Sequence, residues 1–147
     1  MFYEENVNLI RQKISECFKP FFEADEVIKD LNLDFLFNHE RVLFLVDNIK
    51  INDICTFAIV EVNIDQIELS LYIDNNFPID ERIKQADIYK DSPLNDIWVL
   101  YFEPSDPYGY EIRYTYKTQN IDLQFRKIKS ALSMLKEHPY ELKLLQY

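Results

Sequence analysis

The chain has 147 residues, 48% of them hydrophobic, and carries 26 acidic against 16 basic residues for a net charge of −10. That length suits a single domain, which at this size buries about 70% of the surface of its unfolded chain. The composition, rich in Tyr and Phe, excludes a disordered chain. Its longest apolar run, the six residues IWVLYF at 97–102, excludes a membrane-spanning helix, which needs about 20.

The opening stretch MFYEENVNLIRQK puts acids where a secretory leader carries bases ahead of its apolar run, which predicts a cytoplasmic protein. Val7, Ile10, Ile14, Cys17 and Phe21 then recur at spacings of three and four, the period of a helix that buries one stripe. Glu4 and Glu5 sit at its positive end, and Pro20 marks its break. After the break, Phe22, Val27 and Leu31 predict a second short helix that runs out between Asn32 and Asn38.

The period then changes to two. RVLFLVD at 41–47, ICTFAIVEV at 54–62 and QIELSLYID at 66–74 read as a three-stranded meander with turn-forming Asn and Asp between the strands. In the third, Ile67, Leu69, Leu71 and Ile73 alternate with Gln66, Glu68, Ser70 and Tyr72, so one face of the sheet is expected to be wet. The segment 75–93 predicts a short polar helix with a narrow apolar stripe of Ile79, Ile83, Ala86 and Ile88 or Tyr89.

IWVLYFE at 97–103 and YEIRYTYK at 110–117 form a hairpin whose turn carries Pro104, Pro107 and the chain's one glycine, Gly109. The first strand is apolar on both faces, which makes it central in the sheet or covered on both sides. In the second, Tyr110, Ile112, Tyr114 and Tyr116 share one face while Glu111, Arg113, Thr115 and Lys117 share the other. The last helix carries Ile121, Phe125, Ile128, Leu132 and Leu135 as its apolar stripe, with Gln124 and the bases outside or bordering it. Asn120 is its expected N-cap, and His138 with Pro139 its end.

These elements predict an α+β protein, residues 1–147 in one domain. Its sheet has five mainly antiparallel strands, a three-stranded meander plus a hairpin, with N- and C-terminal helices packed on it. The order of elements resembles that of the type III secretion chaperones and the YbjN-like proteins, with an additional segment at 20–38. The resemblance implies a protein that holds a client protein, acting as a homodimer.

One glycine excludes the phosphate-cradling loops and the nucleophile elbow, which need several. His39 and His138 pair neither with each other nor with a cysteine at ligand spacing. Cys17 and Cys55, 38 positions apart, fit neither a disulfide framework nor a metal site and are expected as buried thiols. Asp87, Asp91 and Asp96 lack the spacing and glycine of a calcium loop. The sequence therefore predicts no enzyme, no cofactor and no metal.

Residues 1–116 carry 23 acids against 10 bases, whereas 117–147 carry 3 acids against 6 bases. A field of the first kind repels nucleic acid and anionic lipid and attracts a basic protein. Tyrosines supply interface anchors. Two regions offer both: the hairpin tip with Glu103, Asp106, Tyr108 and Tyr110, and the wet sheet face with Glu61, Glu68, Tyr72 and Glu111. The expected function is that of an immunity or inhibitor protein that neutralises a basic toxin or nuclease by direct binding. The chaperone reading stands as the alternative.

Overall fold

In the computed structural model, residues 2–31, 41–51, 57–73, 90–91, 96–102 and 110–137 are described. Helix α1 (Phe2–Phe18) runs through a single 3-10 turn (Lys19–Phe21) into the strands β1 (Phe22–Asp30), β2 (Arg41–Ile49), β3 (Phe57–Asn63) and β4 (Gln66–Ile73). The short β5 (Lys90–Asp91), then β6 (Asp96–Phe102), β7 (Tyr110–Lys117) and helix α2 (Ile121–Glu137), complete the order. All strands join one antiparallel sheet in the order β1-β2-β3-β4-β7-β6-β5. The protein is α+β, with the expected meander as β2-β3-β4, the hairpin as β6-β7, and β4 joined to β7.

Two strands extend the five expected. Residues 22–30 form β1 at one edge instead of a second helix, and Lys90 and Asp91 form β5 at the other edge instead of ending a helix. The rest of the expected helix at 75–93 lies outside the described residues. The apolar residues of 22–30 mislead because β1 is bulged. Phe22 pairs with Ile49 but Val27 pairs with Asp47, so the residues between them loop out of register and erase the period of two. The exposed Glu23, Ala24, Asp25 and Glu26 fill that bulge. Opposite it Asn48 takes a left-handed φ of 63°, a conformation asparagine tolerates, and its side-chain amide donates to the Asp25 carbonyl at 3.0 Å.

The two described helices lie on one face. Val42, Phe44 and Val46 of β2, Ala58, Val60 and Val62 of β3, Ile67, Leu69 and Leu71 of β4, and Ile112, Tyr114 and Tyr116 of β7 are buried there in one cluster. Ile10, Ile14, Cys17 and Phe18 of α1 pack into it beside Phe125, Ile128, Ala131 and Leu132 of α2. Lys13 bridges the helices to Asp122 at 2.8 Å, and the Cys17 thiol lies 3.7 Å from the Phe125 carbonyl. Burial pushes that thiol up to about 11, so Cys17 is an inert core group. Cys55 lies outside the described residues.

The caps and turns follow the sequence. Asn120 caps α2, its side-chain oxygen accepting from the Leu123 amide at 3.0 Å. The β3-β4 turn is closed by Asn63, whose side-chain oxygen accepts from the Asp65 and Gln66 amides, each at 2.8 Å. Among the described residues no helix is long and apolar enough to cross a membrane.

Candidate functional site

The opposite face of the sheet bears no described helix, and the register sets out its side chains in rows. Glu61 of β3 lies directly across from Glu68 of β4, which in turn faces Thr115 of β7. In the next row Leu45, Ile59, Ser70 and Arg113 follow one another from β2 to β7, and beyond it Phe57, Tyr72 and Glu111 do the same. Glu61, Glu68, Tyr72 and Glu111, four of the residues singled out from the sequence, therefore share one surface.

Arg113 organises it. The guanidinium lies 3.0 Å from Glu68 and 2.7 Å from Glu111, while Arg41 meets Glu61 at 2.8 Å. The three carboxylates are more enclosed than an open face suggests, their side chains 26%, 22% and 15% exposed for Glu61, Glu68 and Glu111. The Phe57 and Tyr72 rings stack with centroids 4.7 Å apart and planes within 9°. Burial pushes the Tyr72 phenol up to about 12, with the Glu111 charge and the hydrogen bond that the phenol donates to it acting in the same direction.

Burial also raises the Glu68 carboxyl, against the pull of Arg113 and with the help of Glu61 and Glu111. A carboxyl held above its unfolded value favours folding when protonated, and that contribution is lost as pH rises through the folded value. Glu68→Gln is therefore expected to melt above the wild type at neutral pH and to lose that advantage below about pH 4, where the unfolded carboxyl is also protonated. A lower melting temperature at neutral pH would instead show that the ion pair with Arg113 outweighs burial and like-charge repulsion.

Among its described side chains the face is not acidic. Its described side chains comprise the acids Asp47, Glu61, Glu68 and Glu111 and the bases Lys29, Arg41, Arg113 and Lys117, which balance. Part of the negative field comes from elsewhere, including the exposed Glu23, Asp25 and Glu26 of the β1 bulge and Glu16 of α1. The acid run EADE was visible in the sequence, but the helix expected there hid its position on a sheet edge.

The hairpin tip contributes nothing to this description, because Glu103, Asp106 and Tyr108 lie outside the described residues. Tyr110 opens β7, its backbone pairing with Phe102 and Ile73. The bases of α2 take up roles the sequence did not assign: Lys127 stands 4.8 Å over the Tyr116 ring and Lys136 5.9 Å over Phe21.

A hollow of about 720 Å³ lies between α1 and the β1 bulge, lined by Arg11, Ser15, Lys19, Phe22 and Glu26 among others. Its polar groups serve the fold. Ser15 donates to Glu26, and Arg11 sits 4.9 Å over the Phe44 ring while donating to the Ile28 carbonyl at 2.7 Å. The Leu31 amide donates to the Leu43 carbonyl, so alternation along β1 turns Ile28's carbonyl away from β2, toward the sheet edge. Arg11 thus blocks that edge position against another strand.

No family model, curated protein or solved structure matches this chain. The likeness to the secretion chaperones rests on element order alone. Among the described residues no group of three or more His, Cys, Asp and Glu side chains could hold a metal ion.

Proposed function

We propose that this protein binds another protein through the face of its sheet opposite the described helices, and that the partner is basic. Its action is that of an immunity or inhibitor protein that covers and neutralises a basic toxin or nuclease. The observation that carries the reading is the gathering of Glu61, Glu68, Tyr72 and Glu111 on one surface beside Leu45, Ile59 and the stacked Phe57. Two physical roles are divided between regions. The net charge of −10 accelerates encounter with a basic partner over a distance of about a Debye length, roughly 8 to 10 Å in ordinary salt. The charge-balanced face supplies aromatic and aliphatic contact once the partner arrives.

The alternative, a chaperone that holds an extended client segment, calls for an open strand edge. Arg11 on the Ile28 carbonyl favours face docking over edge docking at β1. Capture from the native host, followed by salt titration, is the test. The expected result is a one-to-one complex with a folded basic protein whose association slows as salt rises. Tyr72→Lys, which places an ammonium beside Glu111 and toward the partner, is expected to weaken that complex by tenfold or more, about 1.4 kcal/mol. Capture of an unfolded client would favour the chaperone, and recovery of only a small molecule would overturn both.

A further inference from the structure

The described charges of the sheet face opposite the two described helices are ordered as well as balanced. At the β3-β4 turn end, Arg41 lies across from Asn63 and Lys117 across from Gln66, so cations stand on β2 and β7. Six residues along the same two strands stand acids, Asp47 on β2 and Glu111 on β7, about 20 Å away at strand rise. Between these ends lie Leu43, Leu45 and Ile59, together with Glu61, Glu68, Arg113 and Lys29.

This arrangement complements itself under one operation. A two-fold axis in the plane of the face, perpendicular to the strands and midway between Leu43 and Leu45, turns the cationic end onto the acidic end. Arg41 then meets the second copy's Asp47 and Lys117 meets its Glu111, and each pair occurs twice. Leu43 falls over Leu45, and Glu68 over Ser70, whose hydroxyl can donate to it. Glu61 falls over Ile59 and keeps its own Arg41. An axis along the strands fails, because it sets Arg41 against Lys117 and Glu61 against Glu68. The favoured operation leaves the strands of the two sheets nearly antiparallel, compatible with the aligned packing of sheets about 10 Å apart.

We propose that a second copy of this chain docks on the face opposite the described helices in this orientation, giving an isologous homodimer. The dimer does not depend on the basic partner. Because both use one surface, a bound partner and the second copy exclude each other.

Sedimentation of the purified full chain across micromolar concentrations tests it without any partner. The expected species has twice the chain mass. Ile59→Lys, at the centre, is expected to leave a folded monomer, with circular dichroism and melting read alongside. Asp47→Lys, half-buried at the acidic end of β2, keeps the proposal testable should Ile59→Lys disturb the fold, and is expected to weaken the dimer about tenfold through like-charge contact with Arg41. Arg41→Glu combined with Asp47→Lys is expected to restore it, which only this pairing across the axis explains. A monomer at every concentration overturns the proposal. So does a dimer indifferent to Ile59→Lys and Asp47→Lys, or a double variant no tighter than the single.

Discussion

Phe44→Ala is expected to lower the stability of the fold by about 3 to 5 kcal/mol, the range for removing a buried aromatic side chain from a core. Phe44 is fully buried at the middle of β2, between Asp30 of β1 and Val60 of β3 in the register. Its ring also carries the Arg11 guanidinium at 4.9 Å, the same group that donates to the Ile28 carbonyl. The substitution therefore opens a cavity and loosens the contact between α1 and the β1 edge. Denaturant unfolding would show a lower midpoint with unchanged slope.

The comparison that gives this number meaning is Phe57→Ala on the opposite face. Phe57 is only half-buried and stacks on Tyr72, so its loss should cost about 0.5 to 1.5 kcal/mol for the ring pair beyond the exposed area it covers. Equal losses at the two positions would mean that the second face is also a closed core, which would remove the surface on which both binding proposals stand.

The parts of the fold that the sequence announced are those where one period runs without interruption. Val7, Ile10, Ile14, Cys17 and Phe21 are all buried or partly buried along α1 and its 3-10 turn, as their spacing required. The alternation of Ile67, Leu69 and Leu71 with Glu68, Ser70 and Tyr72 correctly divided the two faces of β4, although Ser70 is itself buried between Ile59 and Arg113. β1 was illegible for a local reason: its bulge inserts residues between Phe22 and Val27, and a period that slips resembles a weak helix.

The candidate face was legible in its members but not in how its charges pair. Sequence alternation assigns Glu61, Glu68 and Glu111 to a wet face, yet it cannot show that Arg113 lies between Glu68 and Glu111 or that Arg41 pairs with Glu61. Those contacts depend on which strands are neighbours, and β4 finds β7 across more than 30 positions of chain. The acids of β3 and β4 meet the arginines of β2 and β7 only once the strands are laid side by side. Its selectivity for a partner then rests on shape and on the order of its charges.

Gln124→Glu is expected to be the second most damaging change, at about 3 kcal/mol at neutral pH, and to be rescued by acid. Gln124 is fully buried on α2 although its position bordered the apolar stripe. Its amide nitrogen donates to the Thr118 carbonyl at 2.9 Å and to the Asn63 carbonyl at 3.1 Å, and its side-chain oxygen has no partner. A carboxylate there supplies no donor and faces two carbonyl oxygens, so burial would hold its pKa far above the unfolded value. The folded state then binds the proton more tightly, and stability is greatest below the unfolded pKa of about 4.3 and falls as pH rises through the folded one. Gln124→Met separates the causes: it strands the same two carbonyls at a cost of about 1 to 3 kcal/mol with no titration. A flat pH profile for Gln124→Glu would mean that the helix start gives way and lets the charge reach water. That outcome would also reach the opposite face, because Asn63, held from below by Gln124, closes the turn beside Arg41 and Gln66.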